Sequence, residues 1–166
     1  MPTARGETEA VEHEVHIDAA PETVFEHFTD PLKLVRWMGS EATLDPRPGG
    51  VYRLVLIAGA VVLGEFVEVT PYRRVVFTWG WEHEVFAVPP ASTEVEVELT
   101  PQAGGTHVLL RHRRVPEHAS AFVGAGWSNY LERLGVVTTG EDPGPDPAQQ
   151  KVGPFLMEMV AKRERA

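Results

Sequence analysis

Histidines are the residues of this 166-residue chain whose chemistry can be tested most directly from their spacing. His13 and His16 are three positions apart on a predicted strand, so their side chains point to opposite faces and cannot share a metal ion. His83, His107 and His118 lie in polar or loop segments without the His-Glu-x-x-His spacing of a helical zinc site. The chain also contains no cysteine. We therefore expect neither a metal site nor a cofactor.

His112 differs from the other histidines because the alternation along its strand points it inward, among apolar residues. Three roles are compatible with that position. The first, which we favour, is a core histidine whose hydrogen bonds are satisfied within the protein. The second is a hydrogen-bonding group in a ligand pocket, and the third is a general acid or base with a pKa near neutrality. His112 is the one candidate for a catalytic residue.

Three other patterns resemble catalytic motifs only superficially. Residues 124–129 begin like a dinucleotide-binding loop, but the third small residue and the strand–helix–strand setting are missing. Ser128 lies inside a predicted helix and not on the sharp turn of a serine hydrolase. Glu65 and Glu68 have opposite strand parity, so they can act as an acid–base pair only if a bulge places both inside. The sequence therefore favours binding over catalysis.

Two short helices must form one end of any pocket. Pro21 and Pro31 each suit the first position of a helix, where a missing N–H group costs nothing, and Asp30 can cap the second helix. Helices this short are not stable alone and need a large apolar surface to receive their apolar faces. We interpret the pair as a gate, with Trp37 and Met38 at the pocket entrance.

Most of the chain has the pattern of an antiparallel sheet covered by one long helix. Apolar and polar residues alternate along short segments that are separated by glycine, proline and polar turn residues. We predict strands at residues 11–18, 51–57, 61–70, 74–81, 92–100 and 106–115. A longer helix is predicted over about residues 117–138, with Gly124 and Gly126 thinning it where it crosses the sheet. The predicted fold class is α+β.

Strand parity identifies the inner face of this sheet. Glu94, Glu96 and Glu98 share one face with Arg111 and Arg113 of the next strand, as expected for a solvated outer surface. The opposite face is rich in aromatic residues and is either a packed core under the long helix or the wall of a cavity. For a cavity, the candidate ligand-binding residues are Trp37, Met38, Tyr52, Leu54, Phe66, Phe77, Trp79, Trp81, Val97, Leu110, His112, Val123, Trp127 and Tyr130.

Composition limits the partners that this chain can have. Hydrophobic residues make up 43% and charged residues 23% of the chain, as in an ordinary globular protein. A net charge of −9 opposes binding to nucleic acid and to anionic membranes, because both need basic patches. No stretch has the length and apolar character of a membrane span, and the polar N-terminus lacks a signal-peptide core. We expect a cytoplasmic protein.

The same patterns predict the domain organisation. Residues 1–9 are expected to form a flexible tail, residues 10–138 one domain, residues 139–150 a linker rich in proline and aspartate, and residues 151–166 an amphipathic extension. The extension includes an apolar stretch at residues 155–160. We expect it to pack on its own domain or on a twin subunit, so a homodimer is among the expected partners.

Several short motifs occur in a characteristic order along the chain. They are APETVF at 20–25, TDPxxL at 29–34, RWM at 36–38, PGG at 48–50, GEFVE at 64–68 with Pro71, VFTW at 76–79, Gly105 with Thr106, His112, and Gly126 with Trp127, Leu131 and Leu134. Together they resemble the START-like superfamily (SRPBCC, Bet v 1-like), and most closely the family of the C-terminal domain of the Hsp90 ATPase activator Aha1. The resemblance covers about residues 10–138.

The resemblance implies a helix-grip fold, in which a curved sheet surrounds a long C-terminal helix. It also implies a hydrophobic pocket between them, which binds lipids, polyketides, hormones and other small molecules across the superfamily. A module that binds a hydrophobic small molecule is therefore our first expectation. Activation of the Hsp90 chaperone is the second, although nothing before Val11 matches the separate Hsp90-binding domain of the eukaryotic activator. A cyclase or hydrolase on the same scaffold is the third.

Overall fold

The computed structural model describes residues 9–82, 87–151, 154 and 158. Its strands are β1 (Glu9–Ile17), β2 (Glu41–Leu44), β3 (Val51–Ile57), β4 (Ala60–Thr70), β5 (Arg74–Trp79), β6 (Thr93–Gln102) and β7 (Gly105–Val115). Its helices are α1 (Pro21–Thr29), α2 (Pro31–Leu34), α3 (Glu117–Val137) and α4 (Pro147–Lys151). None of these helices is long and apolar enough to cross a membrane.

The seven strands form one antiparallel sheet in the order β1-β7-β6-β5-β4-β3-β2. The long helix α3 packs across the inner face, chiefly against β1 and β7. This arrangement confirms the predicted α+β helix-grip fold. Two details differ from the prediction. β2 was not predicted as a strand, and β5 ends at Trp79, after which Trp81 forms only an isolated bridge with Val62.

The two short helices form where the prolines predict them. Pro21 and Pro31 open α1 and α2, and Oδ1 of Asp30 caps α2 by accepting a hydrogen bond from the backbone N–H of Leu32 at 2.9 Å. Their apolar faces belong to the main core, in which Phe28 and Leu34 are almost fully buried. The pair is thus stabilised by burial against the sheet, as helices of this length require.

Trp37 belongs to this core and not to an entrance. Its side chain is completely buried, its ring meets that of Phe28 edge to face with centroids 5.1 Å apart, and its indole N–H donates to the backbone oxygen of His27 at 3.0 Å. Because the only polar group of this indole is already paired inside the protein, moving the ring to an entrance would break a buried hydrogen bond. The interpretation of Trp37 as part of a gate is therefore wrong.

Gly39 ends the helix pair and brings the chain onto the sheet. Its φ of +80° lies in the left-handed region, and a Cβ atom built on it would lie 2.6 Å from the backbone oxygen of Val55. Only glycine meets both conditions. The next residue, Ser40, donates its N–H to that same oxygen at 2.9 Å. The turn at Gly39 therefore sets the register in which β2 joins β3.

A bulge in β4 resolves the parity of Glu65 and Glu68. Phe66 pairs with Phe77 and Glu68 with Val76, so Val67 is an extra residue on β4. Glu65 and Val67 are exposed while Phe66 is buried, and Glu68 forms an ion pair on the outer face. The bulge thus brings both glutamates outside, and they cannot form an internal acid–base pair.

The outer face carries an ion network centred on Glu96. Arg74, Arg111 and Arg113 each approach its carboxylate, at 2.6, 2.9 and 2.8 Å. The side chain of Glu96 is 4% exposed, so this position is covered by arginines and is not solvated as predicted. Burial alone would raise the pKa of Glu96, but the hydrogen bonds from Arg113 and Arg111 and the charge of Arg74 outweigh it and lower the pKa to about 2.

Part of the predicted linker and extension after α3 forms a short helix. Helix α4 lies across the boundary that was predicted between a linker at residues 139–150 and an extension at residues 151–166. The predicted apolar stretch at residues 155–160 lies outside the described residues except for residue 158. The predicted tail at residues 1–9 lies outside them except for residue 9, where β1 begins.

Candidate functional site

A cavity of about 200 Å³ lies between the inner face of the sheet and α3. Strands β3, β5 and β7 supply one wall, α3 a second, the end of the short-helix pair a third, and α4 a fourth. Its lining residues are Met38, Leu56, Ile57, Trp79, Trp81, His112, Phe122, Val123, Ala125, Gly126, Trp127, Asn129, Tyr130, Pro147, Ala148 and Lys151. The cavity is thus lined by aromatic and aliphatic side chains with a few polar groups, as is usual for a small-molecule site.

Three of the chain's four tryptophans line this cavity. The ring of Trp79 lies between the other two, 5.4 Å from Trp127 and 6.4 Å from Trp81, measured between centroids. The alternation of β5 points Trp79 inward, and the isolated bridge keeps Trp81 on the same side. Indole rings offer broad apolar faces that pack well against flat aromatic groups.

Gly126 widens the cavity on the helix side. A Cβ atom added there would meet no other atom within 4 Å, whereas one added at Gly124 would lie 3.7 Å from the side chain of Val11. Of these two glycines, only Gly126 lines the cavity. The expectation that glycines thin α3 where it crosses the sheet therefore fits Gly126, whereas Gly124 faces Val11 of β1 at a distance that would also accommodate an alanine.

His112 has both of its ring nitrogens occupied by neighbouring groups. The indole N–H of Trp127 lies 3.0 Å from Nδ1, and Oγ1 of Thr93 lies 2.7 Å from Nε2. Because the indole can only donate, Nδ1 must accept, and the imidazole proton is on Nε2. The hydroxyl of Thr93 in turn donates to the backbone oxygen of Trp79 at 2.6 Å. Every polar atom of this chain of hydrogen bonds is paired.

Burial keeps this imidazole neutral. His112 is 1% exposed, and burial lowers its pKa to about 3. A histidine that is neutral at physiological pH and has no free nitrogen presents only its ring to the cavity. Of the three roles open at the sequence level, the satisfied core histidine agrees best with this geometry.

A second polar group lies where α3 meets the segment that follows it. The carboxylate of Asp146 accepts hydrogen bonds from Nδ2 of Asn129 at 3.0 Å and from the hydroxyl of Tyr130 at 2.7 Å. Tyr130 is 3% exposed, and burial, together with this hydrogen bond, raises the pKa of its hydroxyl. The hydroxyl is therefore a permanent donor, and Asp146 holds it toward the cavity rim.

Residues 141–151, which we call the strap, cross the cavity from α3 to the β3–β4 turn. Arg133 of α3 binds their first part, with Nη1 3.0 Å from the backbone oxygen of Gly144. Gln149 binds the other side. Its Oε1 accepts from the N–H of Ala58 at 2.9 Å, and its Nε2 donates to the oxygen of Leu56 at 2.8 Å. One side-chain amide thus satisfies two backbone groups of the turn.

Half of the candidate ligand-binding residues line the cavity. These are Met38, Trp79, Trp81, His112, Val123, Trp127 and Tyr130. The other half, Trp37, Tyr52, Leu54, Phe66, Phe77, Val97 and Leu110, are buried in the core and do not contribute to its lining. The reason is close packing between aromatic rings, as where Tyr52 stacks on Phe77 with centroids 4.2 Å apart. Both alternatives for the inner face therefore apply, at different ends of the sheet.

Sequence reasoning missed nine lining residues. They are Leu56, Ile57, Phe122, Ala125, Gly126, Asn129, Pro147, Ala148 and Lys151. The helical spacing of Phe122, Gly126 and Asn129 with Tyr130 is a signal that could have identified the α3 residues. Nothing local indicates the strap residues, because a segment rich in proline and aspartate is typical of a linker.

The described ranges contain no group of three histidine, aspartate or glutamate side chains arranged to hold a metal ion. His16 and His107 do lie opposite each other on β1 and β7, but each approaches a different carboxylate, of Asp18 at 3.2 Å and of Glu14 at 3.5 Å.

Comparison with known proteins assigns the fold to a family. The sequence profile of the activator of Hsp90 ATPase homolog 1-like proteins matches residues 18–138. No curated protein matches the chain. An AHSA1-like protein from Rhizobium etli, solved in solution, is 41% identical, with 89% of this chain and 92% of that chain covered and a TM-score of 0.68.

Two more distant structures share the fold. CalU16 from Micromonospora echinospora is 26% identical, with 98% of this chain and 88% of that chain covered and a TM-score of 0.66. DynU16, a protein of the dynemicin biosynthetic locus, is also 26% identical, with 82% of this chain covered and a TM-score of 0.70, and this chain spans 50% of its length. From the profile match and the Rhizobium relative, the chain belongs to the activator of Hsp90 ATPase homolog 1-like family.

Proposed function

We propose that this protein binds a hydrophobic, flat aromatic small molecule in the cavity between the sheet and α3. The observation that carries the proposal is an apolar space of about 200 Å³ walled by Trp79, Trp81 and Trp127. An apolar cavity of about 150 Å³ in another protein binds benzene, so this space is large enough for a ligand.

The walls favour an aromatic ligand over a long-chain lipid, although the superfamily takes both. Indole faces gain most from stacked or edge-on contact with another ring. The location of DynU16 in a biosynthetic locus supports a product or intermediate of secondary metabolism, such as an aromatic polyketide, as the natural ligand class. Such molecules arise inside the cell, in accord with the proposed cytoplasmic location.

Native mass spectrometry and thermal unfolding test this proposal. The freshly purified protein, and the protein mixed with a panel of one- to three-ring aromatic compounds, should show added mass and a raised unfolding temperature. A ligand at a concentration of 100 times its Kd stabilises the folded state by about 2.7 kcal/mol, a shift that is easily measured. A panel including fatty acids that leaves both the mass and the unfolding temperature unchanged would argue decisively against a binding function.

Catalysis is less well supported than binding. An acid–base mechanism needs a titratable group with a free position near the reacting atoms. His112 has both ring nitrogens occupied, and the carboxylate of Asp146 is engaged by Asn129 and Tyr130. Lys151 also lines the cavity but is exposed to solvent. We therefore rank a cyclase or hydrolase activity below a binding role.

A chaperone or a twin subunit remains a secondary proposal. Either partner requires exposed apolar side chains, and in the described ranges the large ones are Leu32, Val51, Val67 and Tyr72. They lie on α2, β3, β4 and the β4–β5 turn, and Tyr72 is held edge-on against Phe25 with centroids 5.5 Å apart. Sedimentation velocity measures the oligomeric state, and the ATPase rate of Hsp90 at saturating protein measures the chaperone role.

A further inference from the structure

We propose that the strap determines the size of the ligand that the cavity accepts, an inference that rests on the proposed function. With the strap attached, the site accepts molecules of about one or two rings, because a cavity of about 150 Å³ holds one ring and this one measures about 200 Å³. A larger ligand can bind only after the strap has been released. Gln149 is then a specificity-determining residue, although it does not line the cavity itself.

Among the described residues, the side-chain hydrogen bonds from the strap to β3 and its turn come from Gln149. Ala58 and Gly59 form the two-residue turn between β3 and β4, both with positive φ, which turns the N–H of Ala58 and the oxygen of Leu56 toward the strap. Gln149 pairs with both groups, at 2.9 and 2.8 Å. A side-chain amide offers a donor and an acceptor on the same planar group, so it can pair with both.

The attachment of the strap to α3 is separate and stronger. Asp146 accepts from Asn129 and Tyr130, and its Oδ1 also accepts the N–H of Ala148 at 2.9 Å, which caps α4. Arg133 binds the carbonyl oxygens before it. We call the contacts of Asp146 and Arg133 between the strap and α3 the hinge, and the two hydrogen bonds of Gln149 the latch. Loss of the Gln149 side chain should break the latch and leave the hinge intact.

Release of the latch would open one wall of the cavity. Pro147, Ala148 and Lys151 line the cavity from the strap, and no residue of α4 is fully buried. None of residues 141–151 is buried, so the side chains of the strap itself lose little burial when the strap moves. For a ligand that needs the open form, the apparent affinity is reduced by the fraction of molecules in that form, so a weaker latch should raise it.

Two fluorescent probes that each carry one hydroxyl group but differ in size test the inference. Binding of 2-naphthol, with two rings, and 1-hydroxypyrene, with four, is followed by quenching of tryptophan fluorescence in the full chain. In Gln149→Ala, we expect the affinity for 1-hydroxypyrene to rise about tenfold, as for the loss of two neutral hydrogen bonds from the closed form. The affinity for 2-naphthol should change no more than about twofold.

Gln150→Ala is the matched control. Gln150 is the neighbouring glutamine of the strap and is exposed, and its side chain makes no hydrogen bond to the described part of the chain, so both affinities should stay at their wild-type values. Gln149→Glu is a second test variant of the same size. Its carboxylate can still accept the N–H of Ala58 but cannot donate to the oxygen of Leu56, so it should show only part of the effect of Gln149→Ala. Amide hydrogen exchange at Ala58 reports the latch directly, and should be faster in Gln149→Ala and unchanged in Gln150→Ala.

The outcomes separate this inference from the proposed function. Equal affinity of the wild type for both probes, or an unchanged affinity for 1-hydroxypyrene in both Gln149 variants, would overturn the role of the strap and leave binding intact. Exchange of the Ala58 amide at the wild-type rate in Gln149→Ala would show that the latch does not exist. No binding of either probe by any variant would overturn the proposed function, and this inference with it.

Discussion

The indole N–H of Trp127 lies 3.0 Å from Nδ1 of His112, and this contact joins α3 to β7 inside the cavity wall. It decides which nitrogen of the imidazole carries the proton. It also continues through Thr93 on β6 to the backbone of Trp79 on β5. Four elements are thus joined by three hydrogen bonds, each buried from water. The wall of the cavity is held by polar contacts although its surface is almost wholly apolar.

His112 should not titrate in the physiological range. Because its pKa is lowered to about 3 by burial, we expect its ring to remain the neutral Nε2–H form from pH 8 down to about pH 4. Nitrogen-15 NMR of the imidazole measures the tautomer and the titration together. A ring that titrates between pH 6 and 7, like those of exposed histidines, would contradict the arrangement described here.

The same burial makes stability depend on pH. The folded-state pKa of His112 lies below its ordinary value of 6.5, so the unfolded chain takes up a proton that the folded chain does not. The contribution of the neutral form is therefore complete above pH 6.5, and it is lost as the pH falls toward 3, by about 1.4 kcal/mol per pH unit.

Denaturant unfolding at pH 7 and pH 5 measures this effect. His27, whose pKa is also lowered by burial, acts in the same direction, so wild type must be compared with a His112→Gln variant. The variant should lose less stability between the two pH values, with the difference corresponding to about one proton. Identical pH dependence in the two proteins would mean that His112 is protonated to the same extent in the folded and unfolded states.

Glu96 should matter much more to stability than its neighbour Glu98 on the same face. We expect Glu96→Gln to lower the free energy of unfolding by roughly 3 kcal/mol, because three arginines lose a shared buried carboxylate. Glu98 is 39% exposed, so Glu98→Gln should cost no more than about 1 kcal/mol. Urea unfolding at pH 7 measures both, and equal losses would show that the arginines resolvate freely.

The Glu96 network should also weaken in acid. Its pKa is lowered to about 2, below the ordinary value for a glutamate, so its contribution is complete above about pH 4.5 and is lost as the pH falls toward 2. Stability measured between pH 5 and pH 3 should fall more steeply in wild type than in Glu96→Gln. Parallel curves for the two proteins would be evidence that the carboxylate is not held by its arginines.

Filling the space at Gly126 should block the cavity. A leucine there points into a position with no atom within 4 Å of its Cβ, so Gly126→Leu should lower affinity for aromatic ligands by at least about tenfold. Ala121→Leu, at an exposed position of the same helix, is the control and should bind normally. Fluorescence titration measures both, and full binding by Gly126→Leu would place the ligand elsewhere.

Gly126→Ala should make the protein more stable, in contrast to the loss of ligand affinity expected for Gly126→Leu. Gly126→Ala should raise the free energy of unfolding by about 0.5–1 kcal/mol, since a glycine inside a helix is unfavourable by that amount. Gly124→Ala places its Cβ in ordinary contact with Val11 and should gain a similar amount without affecting binding. Thermal unfolding measures both, and destabilisation at Gly126 would indicate that α3 needs the glycine for its own geometry.

Strand parity predicted much of the fold and part of the site. The period of two correctly placed Trp79 and His112 inside, because each lies on a strand with charged residues on the other face. It also placed Trp81 inside, although β5 ends before that residue. It could not assign β4, where the extra residue Val67 breaks the period after Phe66. A bulge depends on pairing with the neighbouring strand, and the hydrophobic pattern of one strand does not contain that information.

Local pattern also could not distinguish core from cavity. Tyr52 and Trp79 have the same inward parity, yet Tyr52 stacks on Phe77 in the core while Trp79 lines the cavity. The difference arises from where α3 and the strap lie over the sheet. Asp146 and Gln149 find their partners in residues 16 and 93 positions away, so a segment with the composition of a linker is fixed by contacts that no local rule detects.

One wall of the cavity is held by buried hydrogen bonds and another is formed by the strap, and this difference has a consequence for how such proteins diversify. The hydrogen bonds from Trp127 to Trp79 tie one side to the folding core, and changes there would endanger the fold. Helix α4 contributes no fully buried residue, so mutations in the strap can accumulate at little cost to folding. Selection for new ligands, and redesign in the laboratory, should therefore act first on this C-terminal segment, as on an exchangeable module.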